Sequence, residues 1–351
     1  MLENLTKLSY QTCQQSKNYF SLGHKILSTQ LQNLLYPQQQ PTKRVSPEAI
    51  AKLQNRLNQL LETDWQDTQK GIYPESVLFE NEWQDFFAYY PQLCLDLPQT
   101  WARITQKKYQ AFSPEIDQQG YPSYYLQNFH HQTNGYLSDL SANLYDLQVE
   151  ILFGGTADPM RRRILSPLKG ELQKFQQQPQ KQIRILDVAC GTGRTLKLIR
   201  SALPKVSLFG VDLSPAYLRK ANQLLSQNPD DLPQLLQANA EELPYLDNYF
   251  HAVTSVFLFH ELPAAARQTV IEQCFRVTKP GGVFIICDSI QVSDSAELTE
   301  MIEGFAKTFH EPYYQDYTKD DLIDRLEKVG FRNIETQIHF LSKYLIAHKP
   351  L

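Results

Sequence analysis

From about residue 183 onward, short apolar, largely β-branched runs alternate with longer stretches whose apolar positions fall at helical spacing. The runs are 183–188, 206–211, 235–238, 252–257 and 283–287, and the amphipathic stretches between them include 194–203, 215–227 and 264–277. Strands buried on both faces read as near-continuous apolar runs, and their alternation with helices predicts a parallel sheet covered on both sides. The end of the chain reads differently. Thr318-Lys319-Asp320-Asp321 has the form of a capping box ahead of a helix carrying Leu322, Leu326 and Val329, and Gly330 stops that helix. Two strands follow, 331–339 and 341–348, joined so tightly that they must run antiparallel.

The first half is rich in Gln and aromatic residues. Ser46-Pro47-Glu48 opens a helix whose apolar face is Ile50, Leu53, Leu57, Leu60 and Leu61, and Asp158-Pro159 marks another helix start. The Gln/Pro clusters at 37–41 and 176–180 read as linkers or exposed turns. In residues 19–36, Leu22, Ile26, Leu27, Leu31, Leu34 and Leu35 form a helical stripe. The expected reading is a helix packed on its own protein; association with a membrane surface is the alternative and is not favoured. The expected organisation is a mainly helical region over 1–120, an aromatic-rich helical segment over 121–180, and an α/β domain over 181–351.

Bulk properties change this picture little. Lys and Arg number 34 against 38 Asp and Glu, a formal net charge of −4, so bulk electrostatics gives no reason to expect a nucleic-acid partner. The five cysteines (Cys13, Cys94, Cys190, Cys274, Cys287) form no C-x-x-C pair, which argues against a disulfide framework and a thiolate zinc site. The N-terminus is too polar for a signal-peptide core, and no apolar run reaches membrane-spanning length. A cytoplasmic location is expected.

The chemistry concentrates where the first run ends, at Asp187-Val188-Ala189-Cys190-Gly191-Thr192-Gly193-Arg194. Glycines at a strand–turn–helix junction let backbone approach a ligand, and the helix that follows presents unpaired N–H groups. Asp212 ends the next strand, about twenty residues on, where a ribose-binding carboxylate belongs. Hydrogen bonds to such a charged group contribute about 1.5–3 kcal/mol each. A dinucleotide fingerprint wants a small residue where Leu196 stands, and Asp187 would repel a pyrophosphate while suiting an ammonium group. The pattern therefore favours a ligand with a nucleoside end and an amino-acid end over a nicotinamide cofactor.

These residues resemble motif I of the class I S-adenosylmethionine-dependent methyltransferases, in particular the branch of the ubiquinone/menaquinone biosynthesis enzymes (methyltransferase type 11/25). Four further stretches agree in order: Gly210-Val211-Asp212-Leu213-Ser214-Pro215, Ala238-Asn239-Ala240-Glu241-Glu242-Leu243-Pro244, the segment 256–263, and Arg276-Val277-Thr278-Lys279-Pro280-Gly281-Gly282. The resemblance covers roughly the last half of the chain. It implies a Rossmann-like α/β fold: a seven-stranded, mostly parallel sheet closed by a C-terminal antiparallel hairpin, beside the mainly helical N-terminal region. It implies S-adenosylmethionine as cofactor, with Ala189, Gly191, Thr192 and Gly193 around its methionine part and Asp187 toward its amino group. Asp212 and Leu213 would meet the ribose, Asn239 and Ala240 the adenine, and Phe257 the same cleft. Where the family usually has Asp, this chain has Asn239, a weaker acceptor.

Ligands of open parallel sheets bind beyond the strands' carboxyl ends. His260 and Glu261 lie there and are the candidate catalytic residues, His260 having an ordinary pKa suited to a base. Tyr124, Tyr125, Phe129, His130 and Tyr136, with His131, are candidates for an aromatic acceptor wall, and Asp288-Ser289 also borders the cleft. Arg162, within Arg161-Arg162-Arg163, is a candidate to hold an acidic group, although such a run more often forms a solvated helix face. The expected partner is a small, apolar or aromatic methyl acceptor. The competing readings are a catalytically silent methyltransferase-like binding or regulatory protein and a nicotinamide-dependent oxidoreductase.

Overall fold

A computed structural model describes residues 2–36, 46–80, 83–227 and 232–351. The expected linker at 37–41 lies outside them apart from the flanking positions. Three helices come first: α1 (Leu2–Leu35), α2 (Pro47–Gln69) and α3 (Trp83–Gln106). Ser46 caps α2 by accepting from the Ala49 N–H, with Pro47 in the first turn. Residues 107–138, expected in part to be helical, are turns interrupted by one short 3-10 segment, Phe129–His131. Then follow α4 (Asp139–Leu152), α5 (Ala157–Arg162) and α6 (Leu165–Leu172). The cap of α5 is Thr156, so Asp158-Pro159 lies one step inside the helix rather than at its start.

The second half continues with β1 (Arg184–Val188), α7 (Arg194–Ala202), β2 (Ser207–Asp212), α8 (Pro215–Leu225), β3 (Gln234–Gln237) and β4 (Phe250–Val256). It ends with α9 (Ala264–Val277), β5 (Thr278–Ser289), α10 (Thr299–Phe309), α11 (Tyr314–Tyr317), α12 (Leu322–Val329), β6 (Arg332–His339) and β7 (Ser342–His348). The seven strands form one sheet in the order β3-β2-β1-β4-β5-β7-β6. All pairings are parallel except those of β7, which is antiparallel to both β5 and β6. The fold is the expected Rossmann-like one. Chain order reverses between β1 and β4, which opens a crevice at their carboxyl ends. Pro280-Gly281-Gly282 is absorbed into β5 as a bulge against β4 rather than forming a separate turn. The cap of α12 is Asp321, which accepts from the Asp324 N–H, so the helix starts from the last residue of the capping box read at Thr318 rather than from its first.

Both sheet faces are covered. One core joins Leu186, Val253, Phe284 and Leu345 to Val270, Ile271 and Leu326 of α9 and α12. The other joins Ile185, Leu208, Ile285 and Ile346 to α6 and α7, and also to Tyr10, Trp65 and Tyr73 from the first half. The N-terminal helices thus share a hydrophobic core with the sheet.

Two expectations about the first half change. Arg161, Arg162 and Arg163 are buried, not solvated, because each has its own carboxylate. Arg161 pairs with Asp158 at 2.9 Å, Arg162 with Asp64 at 2.6 Å, and Arg163 with Asp67 at 2.5 Å. Asp64 also accepts from the hydroxyls of Tyr10 and Tyr73, at 2.5 and 2.6 Å. Meanwhile, the stripe on α1 does not pack away: Leu22, Ile26, Leu27, Leu31, Leu34 and Leu35 remain between 43% and 77% exposed. A helix of 34 residues runs about 50 Å. Among the described residues, no helix is long and apolar enough to cross a membrane.

Candidate active site

The turn after β1 bends through three left-handed residues, Ala189 (φ 56°), Gly191 (φ 54°) and Gly193 (φ 82°). At Gly191 the space a Cβ would take is open, so the backbone faces the crevice bare. Gly193 serves packing instead: a Cβ there would meet Ala221 of α8 at 3.0 Å. Thr192 is buried beside it.

Asp212, ending β2, accepts the Gly191 N–H on Oδ2 and the Ser214 N–H on Oδ1, both at 2.8 Å. Each oxygen retains a lone pair for a ligand hydroxyl. Burial pushes this carboxyl up to about 6, against those backbone donors. Asp187 is buried more deeply, takes the Thr254 hydroxyl at 2.7 Å, and burial lifts its pKa to about 7. It does not line the crevice wall as Ala189, Gly191, Asp212, Leu213, Asn239, Ala240 and Phe257 do. Asn239 already spends its carbonyl on the Glu241 N–H at 3.0 Å, a local turn that shapes the adenine-side loop.

Of the aromatic candidates, Tyr124, Tyr125 and Tyr136 line this same crevice. The Tyr124 hydroxyl donates to Glu241 at 2.5 Å. Phe129 is fully buried behind Tyr136, stacked at 5.4 Å between ring centroids. His131 turns away to the Thr308 carbonyl. Arg162, locked on Asp64, lies outside both cavities described here.

A second cavity, of about 350 Å³, adjoins the first, and Tyr145 and Phe257 line both. Its walls are mainly apolar, with Val149, Leu152, Phe153, Ile290, Ile302 and Phe305 among them, while Ser21, Leu22 and Lys25 of α1 close one side. His130, Phe257, His260 and Ser289, singled out from the sequence, line this chamber too, but most of its apolar wall comes from α1, α4 and α10, which carry no motif.

At the junction stand His130, His260, Glu261 and Glu311. His130 has φ 53°, a conformation that costs a non-glycine residue about 1–3 kcal/mol and clusters at functional sites. The Asp288 carboxylate accepts the Phe259 N–H at 2.7 Å and holds His260 Nδ1 at 2.7 Å. Burial would lower the His260 pKa, but Asp288 outweighs it and raises it to about 10. Asp288 thus favours the protonated form of the ring. Burial, then Glu311, push Glu261 up to about 7. The Tyr136 hydroxyl donates to Glu261, and His130 Nε2 contacts Glu311. Glu311 carried no sequence signal; it sits in the short turn between α10 and α11.

The crevice geometry coincides with a match in sequence. Residues 185–282 fit the family model described as a methyltransferase domain. The C-terminal half is a class I S-adenosylmethionine-dependent methyltransferase domain. This methyltransferase resembles the demethylmenaquinone methyltransferase of Anoxybacillus flavithermus, at 27% identity over 49% of this chain and 80% of that protein. It also resembles the one from Symbiobacterium thermophilum, at 36% identity over 30% of this chain and 42% of the relative. A solved methyltransferase from Bacillus halodurans aligns over 52% of this chain and all of its own, with 19% identity and a TM-score of 0.39. The cofactor of the methyltransferase is S-adenosylmethionine, and the bare Gly191 backbone with the half-buried Asp212 carboxylate suits a nucleoside bearing ribose hydroxyls.

Proposed function

We propose that this methyltransferase transfers a methyl group in line to a small apolar or aromatic acceptor held in the second chamber. The observation that supports this most is the shared wall: Tyr145 and Phe257 border both the Asp212 crevice and the apolar chamber. When bound, S-adenosylmethionine supplies a methyl group activated by its sulfonium. The chain's own residues do the rest. Asp212 and Leu213 hold the ribose, Ala189 and Gly191 the methionine part, and Asn239 and Ala240 the adenine. Asp187 acts from behind, through the loop it underlies. The rings of Phe153, Phe257 and Phe305 orient a flat acceptor and exclude water, which is most of what a displacement needs from an enzyme. His260 and Glu261 stand where the acceptor's reacting atom must arrive. The relatives' quinone-type acceptor is compatible with such a chamber.

Calorimetric titration with S-adenosylmethionine and S-adenosylhomocysteine, beside Asp212→Ala and an NADH titration, tests the donor side. Saturable binding lost in Asp212→Ala is expected, and labelled methyl should then pass to apolar ring acceptors. Binding of NADH alone, or robust transfer only to RNA or protein, would overturn the reading.

A further inference from the structure

We propose that His130, His260, Glu261 and Glu311 form a binding site for one divalent first-row transition-metal ion between donor crevice and acceptor chamber. One ligand atom from each of the four lies within 4.8 Å of all the others. His260 Nε2 and His130 Nε2 each stand 3.9 Å from Glu261 Oε1. Ligand atoms bound at about 2.0–2.2 Å to one tetrahedral ion lie about 3.4 Å apart, so shifts on the order of an ångström, with His130 and Glu311 parting to admit the ion, complete the set.

Three features point to an ion rather than to packing. Glu311 is 2% exposed; its Oε1 is in direct contact with His130 Nε2, and no hydrogen-bond donor reaches its Oε2. A second carboxylate, Glu261, its side chain 14% exposed, brings Oε1 to 3.9 Å from both His130 Nε2 and His260 Nε2, and two carboxylates crowded into one sheltered space are costly without compensating positive charge. Finally, Asp288 grips His260 through Nδ1, which leaves Nε2 directed at the cluster. A carboxylate behind an imidazole is the usual support of a metal-binding histidine. Two imidazoles with two carboxylates suit manganese, iron, cobalt, nickel or zinc; magnesium and calcium favour all-oxygen shells.

Placement gives the ion a role. His130 and His260 line the acceptor chamber, and Glu261 lines the donor crevice. An open coordination position between them would take an oxygen of the acceptor (a hydroxyl, enol or carboxylate), orient it and favour its ionised form. This second step rests on the methyl-transfer reading; ion binding does not.

The test is cobalt(II) titration of chelator-stripped protein, read by visible absorption, with metal content measured on protein purified without chelator. One ion per chain is expected. Glu311→Gln and His130→Ala should each weaken binding at least tenfold, while His131→Ala should not. S-adenosylhomocysteine affinity, measured on every variant, reports folding and the donor site separately. Wild-type protein that binds the nucleoside but no cobalt or zinc would overturn the proposal, as would unchanged affinity in both ligand variants. Cobalt binding without nucleoside binding would leave the metal site standing and remove the methyl-transfer reading.

Discussion

Leu196 fills the space that Gly210 leaves: a Cβ on Gly210 would lie 2.7 Å from Leu196 Cδ1, 2.9 Å from Cys190 Sγ and 3.0 Å from Leu235 Cδ2. The close helix–sheet approach that dinucleotide folds achieve with a small residue on the helix is achieved here with one on the strand. Gly210→Ala should therefore destabilise the protein by about 1–3 kcal/mol. Leu196→Ala in the same chain should recover part of that loss, as a double-mutant cycle by urea unfolding would show; strict additivity would mean the two positions do not share the space.

The Arg162–Asp64 pair joins α5 to α2 out of contact with solvent. Removing one partner leaves a buried uncompensated charge, which typically costs about 3–5 kcal/mol. Asp64→Ala should lower stability by that order in thermal or chemical unfolding. A loss under about 1 kcal/mol would show that water reaches Arg162.

Burial raises the pKa of Asp187, behind the loop, to about 7 and that of Asp212, on the crevice wall, to about 6, and an ionised Asp212 is the stronger acceptor for ribose hydroxyls. Nucleoside affinity should be full above pH 7 and fall as the pH drops through 6. Their contribution to ligand-free stability has the opposite sign. A buried acid with a raised pKa takes up protons more readily folded than unfolded, so this contribution grows as the pH falls from 7 toward 4. Calorimetric titrations and unfolding curves across pH 5–8 should diverge accordingly; parallel profiles would contradict the assignment.

Phe305 lines the apolar chamber but not the donor crevice. Phe305→Ala should raise the acceptor KM by about 10- to 100-fold, the equivalent of one aromatic contact, and leave S-adenosylhomocysteine affinity within about twofold. Weakening of both would place the acceptor elsewhere.

How much of this was legible in the sequence follows from the range of each signal. The alternation of strands and helices, the glycine turn, Asp212 and the tight terminal hairpin are local patterns, whereas the order of the strands in the sheet is not written in any one of them. Arg162 and Arg163 misled because the compensating Asp64 and Asp67 lie nearly a hundred positions earlier, whereas the Asp158 that holds Arg161 is only three residues away. His130 was visible only as one aromatic-like residue among several. Glu311 was invisible, since its meaning comes from where α10 ends rather than from its neighbours.

The junction cluster draws His130 from the turns ahead of α4 and Glu311 from beyond α10, with most of the sheet synthesised between them. Synthesis runs from the N-terminus, so a growing chain can shape the Asp212 crevice before the last of these four side chains has left the ribosome. The cluster can thus close only after β1 to β5 exist, and a chain ending before Glu311 would lack it together with α11, α12, β6 and β7.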